Sequence, residues 1–199
     1  MAELAGLVLG FSTDQMLDFY RQGYFPMPVA PVGYGLFSPS RRAVLPLENL
    51  RVTRSLRQSM KHYGVTFDKA FADVLAQCAG RNVETDWIDD LLIDRYTELH
   101  HRGYAHSVEV WDSDGNLCGG LFAVNIGGLV SGESMFHVGR DASKVALVHL
   151  VRRLRDVPGP VLLDAQYQTP HLASLGVVQI TRRAYHGALR KVVSRPNVL

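Results

Sequence analysis

Two polar side chains end a short apolar run at residues 162–166, whose sequence is LLDAQ. The run predicts a strand. Because residues two apart on a strand point to the same face, Asp164 and Gln166 would project side by side. A carboxylate beside an amide, which both donates and accepts hydrogen bonds, could polarise an amine nucleophile. The structural alternative stays open: Asp164 would satisfy backbone groups of the next turn, and Gln166 would be a loop residue.

A further acid, Glu133, lies inside the apolar run GESMF at 132–136, which also predicts a strand. Acids are seldom buried without a partner. Glu133 could therefore receive a cationic substrate group, or it could pair with a structural arginine. The residues alone do not separate these two possibilities.

Aromatic residues are concentrated in a Pro-rich N-terminal segment and recur between residues 87 and 96. Aromatic rings can stack on a nucleic-acid base, and they also pack small lobes that have few aliphatic residues. The set comprises Tyr20, Tyr24, Phe25, Tyr34, Phe37, Trp87 and Tyr96. Both interpretations are open at this point.

The first half of the chain predicts the helices that would support these residues. Residues 1–40 are rich in Pro and Gly and contain one helix, capped at Thr13 or Asp14. Asp68 is predicted to cap a second helix, and a third spans residues 86–103. The N-terminal segment is therefore expected to form a small lobe packed by aromatic residues.

From residue 104 onwards the hydrophobic period changes to that of strands. Residues 105–136 predict three strands, and the turn at 113–116 joins the first two as a hairpin. A helix capped at Asp141, a strand, a short helix capped at Thr169, a last strand at 177–182 and a basic C-terminal helix follow. This order predicts an α+β fold around a mixed, mostly antiparallel sheet flanked by helices.

The chain has 199 residues and 47% hydrophobic composition, which excludes intrinsic disorder. Its net charge of +2 conceals two basic stretches, 41–61 and 177–199, each with a net charge of +5. Clustered Lys and Arg favour a polyanionic partner, because neutralised phosphates release counterions. Solvated faces that never meet are the alternative interpretation.

Several kinds of chemistry lack their motifs in this sequence. The two cysteines, Cys78 and Cys118, have no metal-ligand spacing, and the eight histidines form no HxxEH or HxH pattern. Walker and GxGxxG loops are also missing. We therefore predict no metal and no bound cofactor, and a reaction in which an activated donor meets a positioned nucleophile. The N-terminus has neither a signal peptide pattern nor an apolar span, so we expect a cytoplasmic protein.

Nine short stretches, taken in their order and spacing, resemble the bacterial leucyl/phenylalanyl-tRNA–protein transferases. They are YRQGYFP (20–26), SPSRRAVLP (38–46), FDKAFADVLAQCAGR (67–81), LHHRGYAHSVEVW (99–111), CGGLF (118–122), GESMF (132–136), ASKVAL (142–147), LLDAQ (162–166) and HLASLG (171–176). The resemblance extends from about Tyr20 to Tyr185.

The resemblance implies a small N-terminal lobe, residues 1–40, and an acetyltransferase-like (GNAT-type) catalytic domain, residues 41–199. It implies transfer of Leu, Phe or Met from aminoacyl-tRNA to proteins with N-terminal Arg or Lys, which marks them for N-degron proteolysis. Aminoacyl-tRNA would be a co-substrate, and neither a cofactor nor a membrane would be needed.

The resemblance also implies roles for individual residues. Asp164 and Gln166 match the catalytic pair of the family, and Glu133 matches the acid of its active-site region. The pocket for the aminoacyl side chain corresponds to Leu121, Val130, Met135 and Leu147. The aromatic residues around the terminal adenosine correspond to Tyr20, Trp87 and Tyr96, and we place Met27 there as well. For the tRNA phosphates we expect Arg41, Arg42, Arg54, Arg57, Lys144, Arg182 and Arg183, from the two basic stretches and the ASKVAL stretch.

This sequence departs from the family where the N-terminal lobe would hold adenine. Members of the family usually have FPW, but this chain has FPM with Met27 in the third position; they usually have WWSP, but this chain has LFSP. Three alternative functions remain: a CoA-dependent acetyltransferase, an aminoacyl-tRNA-dependent cell-wall ligase, and an RNA-binding module without catalysis. The stretch 139–143 lacks the pyrophosphate-binding pattern that the first would need.

Overall fold

A computed structural model describes residues 3–80 and 87–199 and divides their strands between two sheets. The first sheet is antiparallel, in the order β1-β3-β2, and contains β1 (Leu4–Val8), β2 (Phe25–Val29) and β3 (Gly33–Phe37). The second contains β4 (Arg41–Val44), β5 (Gly64–Phe67), β6 (Ala105–Trp111), β7 (Leu117–Ile126), β8 (Leu129–His137), β9 (Leu162–Gln166) and β10 (Val178–Thr181). Its order is β10-β4-β9-β8-β7-β6-β5, and every neighbouring pair is antiparallel except β8 with β9. The α+β class with a mixed, mostly antiparallel sheet is confirmed.

Helices cover both faces of the seven-stranded sheet. They are α1 (Thr13–Arg21), α2 (Arg54–Ser59), α3 (Phe71–Ala79), α4 (Asp90–His101), α5 (Ala142–Arg155), α6 (Pro170–Ser174) and α7 (Arg182–Val192). One core cluster takes its helical residues from α1, α3, α4 and α7, and the other takes them from α2 and α5. Within the described ranges, no helix has the length and apolarity needed to cross a bilayer.

The starts of the helices confirm some predicted caps and correct others. The Ser12 side chain, rather than Thr13 or Asp14, caps α1 by accepting a hydrogen bond from the Gln15 backbone, and the Gln15 side chain accepts in return from the Ser12 backbone. Thr169 caps α6 as predicted.

The side chains of Asp68 and Asp141 make no capping hydrogen bond, contrary to prediction, although Asp141 does occupy the N-cap position of α5. Both have left-handed backbone conformations, with φ of 57° and 61°. The Asp68 carboxylate instead accepts from the Ser107 backbone and pairs with a histidine on β6. The Asp141 carboxylate accepts from the Ser59 hydroxyl on α2 at 2.9 Å and also pairs with Lys144 of α5. Each carboxylate is therefore used in tertiary contacts. The predicted helix at 86–103 begins at Asp90, and its first residue, Asp86, lies outside the described residues.

The parallel strands β8 and β9 pair only over a short distance. Their register runs from Leu129 opposite Leu162 to Ser131 opposite Asp164. Beyond that point β8 continues to His137, whereas β9 ends at Gln166. The two strands are therefore paired as far as Asp164 and unpaired beyond it, where Glu133 and Gln166 lie.

The N-terminal segment packs onto the same core as the larger sheet. Its three-stranded sheet ends at Phe37 and the seven-stranded sheet begins at Arg41, on either side of the boundary expected near residue 40. Tyr20 and Phe25 nevertheless share a buried cluster with Phe122 of β7. The small lobe thus covers one face of the seven-stranded sheet.

Candidate active site

A cavity of about 300 Å³ lies where β8 and β9 are no longer paired. Both strands, α5 and α6 contribute to its walls. Its lining comprises Leu45, Leu121, Phe122, Gly132, Glu133, Ser134, Met135, Leu147, Leu150, Leu163, Asp164, Ala165, Gln166, Tyr167, Thr169, His171, Leu172 and Val177. A mostly apolar wall with a few polar groups on one side is typical of a small-ligand site.

Glu133 is the acid on the polar side of this cavity. Its Oε2 accepts hydrogen bonds from the Tyr96 hydroxyl and the Gln166 side-chain amide, both at 3.0 Å. Tyr20 supports Tyr96, since their hydroxyl oxygens are 3.4 Å apart. Within the described ranges, Oε1 of Glu133 has no hydrogen-bond partner. Burial raises the pKa of the Glu133 carboxyl from its usual 4.5 to about 7, although the surrounding hydroxyl and amide donors partly oppose this rise.

Gln166 reaches Glu133 because its backbone has a left-handed conformation, with φ of 59°. Such a conformation is unfavourable for a residue with a side chain. It is held in place by a hydrogen bond of 2.8 Å from the Gln166 backbone N–H to Asp164 Oδ1. From strand alternation, the Asp164 and Gln166 side chains were predicted to lie next to each other. In the structure, the Asp164 carboxylate instead accepts a hydrogen bond from the backbone N–H of Gln166.

Asp164 itself is buried, with an exposed fraction of 1%, and both of its oxygens are in use. Arg42 donates from Nε to Oδ1 at 2.9 Å and from Nη2 to Oδ2 at 2.6 Å. The Tyr185 hydroxyl donates to Oδ2 at 2.7 Å. Together with the Gln166 backbone N–H, these donors leave the carboxylate little capacity to accept a substrate proton.

Arg42, which forms the ion pair with Asp164, was predicted to bind tRNA phosphate. Its exposed fraction is 1%, so the expectation that it contacts tRNA phosphate is wrong. Its guanidinium lies over the rings of Phe25 and Tyr185, 4.5 and 4.6 Å from their centroids, and Nη1 donates to the Gly23 carbonyl oxygen at 3.2 Å. Burial by itself lowers the pKa of Arg42, but the attraction of Asp164 outweighs this and raises the pKa above its ordinary value.

The sequence of this chain is similar to those of known proteins. A family model described as leucyl/phenylalanyl-tRNA protein transferase matches residues 44–190. A leucyl/phenylalanyl-tRNA–protein transferase from Ruegeria sp. (strain TM1040) is 44% identical over 189 residues, which cover 93% of this chain and 88% of the relative. The chain belongs to the leucyl/phenylalanyl-tRNA protein transferase family. It is therefore an enzyme of the aminoacyltransferase class.

Other relatives carry the same name. The protein from Stutzerimonas stutzeri (strain A1501) is 46% identical over 188 residues, covering 92% of this chain and 82% of the relative. Among solved structures, L-PGS from Bacillus licheniformis aligns with a TM-score of 0.42 and 12% identity, covering 81% of this chain and 55% of that one.

The cavity includes three of the four residues that the resemblance assigned to an aminoacyl pocket. Leu121, Met135 and Leu147 line it, as the resemblance implied. Val130 does not: its side chain is fully buried in the core cluster shared with Leu121 and Leu147. Tyr167 also lines the cavity but was not predicted. Its position directly after Gln166 was the signal that could have identified it.

Two of the family's adenosine-contacting aromatics are buried in this chain. Tyr20 and Tyr96 have no exposed ring face, and their hydroxyls point into the hydrogen-bond network of Glu133, so their rings cannot stack on a base in this structure. Trp87 contacts Tyr96 edge to face, with centroids 6.5 Å apart, and is partly exposed. Met27 on β2 is also partly exposed. These last two retain accessible surface for a nucleoside.

The remaining basic residues separate into two groups on opposite sides of the sheet. Arg54 and Arg57 are exposed on α2, and Lys144, bound to Asp141, is partly exposed on α5. These helices pack on one core cluster, while α7 packs on the other. The second group comprises Arg183, which is exposed, and Arg182, whose guanidinium contacts the Ser38 carbonyl oxygen and Glu3. Arg41 is exposed at the start of β4 and is assigned to neither group.

No cluster of three or more His, Cys, Asp or Glu side chains within residues 3–80 and 87–199 is arranged to hold a metal ion.

Proposed function

We propose that this protein transfers Leu, Phe or Met from aminoacyl-tRNA to the α-amine of proteins with N-terminal Arg or Lys. One observation carries the proposal: an apolar cavity has the hydrogen-bonded pair Glu133 and Gln166 on one side. Membership of the transferase family supports the donor and the acceptor class. The product's new apolar N-terminus would mark it for N-degron proteolysis in the cytoplasm.

The aminoacyl side chain would enter the cavity against Leu121, Met135 and Leu147. These residues are apolar, so they favour apolar side chains over charged ones. A volume of about 300 Å³ is at the small end of ligand sites, which suits one amino-acid side chain with the atoms next to it.

The chemistry would need little activation of the donor, because an aminoacyl ester is already an activated acyl group. The enzyme's task is to hold a neutral amine against the ester carbonyl. An α-amine has a reference pKa of about 7.7–8.0, so roughly a tenth or more is neutral near pH 7. We propose direct attack by this amine on the ester carbonyl, with no acyl-enzyme intermediate and no cofactor. The amide C–N bond forms, the ester C–O bond breaks, and the tRNA leaves with its terminal ribose oxygen taking up the proton that the amine loses.

Glu133 is the better candidate of the two acids to accept the amine proton. A pKa of about 7 matches a group that must both take up and release protons near neutrality. Gln166, hydrogen-bonded to Glu133, would orient the reacting groups. Asp164 would act indirectly, through the backbone of Gln166, because both of its oxygens already accept hydrogen bonds.

Glu133 is also the acid that we propose meets the basic N-terminal residue of the acceptor. It lines the cavity and has an oxygen without a partner in the described part of the chain, whereas the charge of Asp164 is neutralised by Arg42. A Glu133→Gln enzyme that kept its preference for Arg over uncharged N-terminal residues would limit Glu133 to the proton.

The finer assignment of the fold supports the same reaction class. We propose a GNAT-type, acetyltransferase-like architecture, in which the acyl donor lies between the parallel strands after they cease to pair. The parallel pair β8–β9 within an otherwise antiparallel sheet, with the cavity beyond its last paired residues, supports this assignment.

The test is a transfer assay with labelled Leu-tRNA and a peptide that begins with Arg. We expect label on that peptide, and none on the same peptide with an acetylated N-terminus, because the acetyl group removes the nucleophile. Turnover of acetyl-CoA in place of Leu-tRNA would favour an acetyltransferase instead. Binding of Leu-tRNA without transfer would favour an RNA-binding module.

A further inference from the structure

A buried arginine controls the conformation of a residue that faces the cavity. We propose that Arg42 is a positioning residue of aminoacyl transfer: through Asp164 it holds the Gln166 backbone in the conformation that directs its amide to Glu133. This inference rests on the proposed function, and it concerns a residue that touches neither the cavity nor a substrate.

The first step is the fixed orientation of the Arg42 guanidinium. Two of its nitrogens bind the two oxygens of Asp164, at 2.9 and 2.6 Å, in the parallel fork that only arginine offers. The rings of Phe25 and Tyr185 contact its planar group within 4.6 Å. Rotation of the guanidinium is therefore restricted by packing as well as by hydrogen bonds.

The second step passes from Asp164 to Gln166. Oδ1 of Asp164, already bound to Arg42, accepts the Gln166 backbone N–H at 2.8 Å. A hydrogen bond to an ionised carboxylate is stronger than one to a neutral acceptor, so it can offset the unfavourable left-handed φ of 59°. Without a fixed carboxylate, Gln166 would relax towards ordinary strand geometry.

The third step connects this conformation to the cavity. The Gln166 side chain donates to Glu133 at 3.0 Å, and this is the contact through which Arg42 reaches the reacting groups. A buried ion pair is seldom more stabilising than an apolar pair of the same shape. What Arg42 and Asp164 contribute here is the geometry that they impose on Gln166.

The same cation also joins the small N-terminal lobe to the sheet. Nη1 donates to the carbonyl oxygen of Gly23, which lies between α1 and β2, and Phe25 of β2 covers one face of the guanidinium. Movement of the lobe would therefore shift Arg42 and, through its hydrogen bonds, the carboxylate of Asp164. The position of the lobe and the geometry of Gln166 are linked through one side chain.

The test is a double-mutant cycle of kcat values that begins with Arg42→Lys. This variant keeps the positive charge but loses the two parallel hydrogen bonds to Asp164. Because small displacements of positioned groups cost about a hundredfold in rate, we expect kcat to fall about 10- to 100-fold. The KM for Leu-tRNA should stay nearly constant. In a Gln166→Ala background, the same Arg42→Lys change should lower kcat less than about twofold, because the two residues act in series.

Matched variants separate positioning from loss of fold. Arg95→Lys alters another arginine that binds a backbone carbonyl of the lobe, that of Phe11, and should leave kcat unchanged. Tyr185→Phe removes one donor to Asp164 without changing charge, and should lower kcat less than Arg42→Lys does. If Arg42→Lys does not fold, Tyr185→Phe carries the same cycle with Gln166→Ala.

Hydrogen exchange provides a readout that is independent of activity. The Gln166 backbone amide should exchange faster in Arg42→Lys than in the parent protein, while amides of α4 remain unchanged. Unchanged exchange at Gln166, or fully multiplicative kcat losses in the cycle, would overturn the inference. If the parent protein transfers no label at all, the proposed function fails, and the exchange measurement still decides whether Arg42 positions Gln166.

Discussion

The raised pKa of Glu133 predicts a specific effect of Glu133→Gln on the pH dependence of stability. In the folded protein this pKa is about 7, whereas the same group has its ordinary value of 4.5 when exposed. Between these values the folded state binds more protons than the unfolded state. The free energy of unfolding of the parent protein therefore falls as pH rises from about 4.5 to about 7.

The size of this loss follows from the difference in pKa. Each tenfold difference in proton affinity corresponds to about 1.4 kcal/mol, so Glu133 should cost at most about 3 kcal/mol of stability above pH 7. This is an upper value, because the side chain borders a cavity that admits water. Glutamine is close to the protonated acid in shape and can still accept from Tyr96 and Gln166 through its carbonyl oxygen.

The assay is urea unfolding of both proteins between pH 4.5 and pH 8.5 at constant ionic strength. We expect the two free energies of unfolding to be similar at pH 4.5 and Glu133→Gln to be more stable at pH 8.5, by up to about 3 kcal/mol. Glu48→Gln, at an exposed acid, is the control and should show a nearly constant difference. A difference for Glu133→Gln that does not change with pH would refute the reasoning from burial.

Three further outcomes follow from the structure. Asp164→Ala should lower the free energy of unfolding by about 3–5 kcal/mol, since it leaves a buried arginine unpaired. Calorimetry should show a lower melting temperature, and an unchanged one would contradict the buried ion pair. Replacing Arg54 and Arg57 together by Gln should reduce the slope of log affinity for tRNA against log salt by up to about 2, as measured by filter binding; an unchanged slope would remove α2 from the RNA-binding surface. Gly119→Ala should destabilise by about 1–3 kcal/mol, because its Cβ would lie 2.4 Å from that of Ala142 on α5. Gly187→Ala is the control, because a Cβ at this position of α7 would have no atom within 4 Å apart from its chain neighbours and the helix's own backbone.

Much of the local structure could be predicted from short-range signals. Thr169 followed by proline predicts the start of α6 because both act on backbone groups within one turn. The hairpin at 113–116 is predicted for the same reason, since Asp112 accepts from the backbone of Asp114 and Asn116. Asp68 and Asp141 failed as caps because their carboxylates found partners distant in sequence, on β6 and α2.

Part of the candidate site could also be predicted from short-range sequence signals. The apolar strands around Glu133 and Asp164, and the family resemblance of their motifs, identified the acids and the cavity residues Leu121, Met135 and Leu147. Tyr20 is different: a ring near the chain's N-terminus gives no sign that its hydroxyl supports Glu133 through Tyr96.

By itself, the sequence determined the order of helices and strands from α3 onwards and the family to which the chain belongs, because periodicity, caps and motifs depend on neighbouring residues. The strands β1 to β5 and the helix α2 were not predicted. The tertiary structure alone decided what each charged group does. Arg42 and Asp164 are 122 positions apart, and their pairing turns a supposed phosphate ligand into a buried cation. Asp164, which was expected to polarise an amine, instead binds this cation and the backbone of Gln166. The physical reason is that burial and pairing, which set the charge state and reactivity of a side chain, are properties of its surroundings in three dimensions.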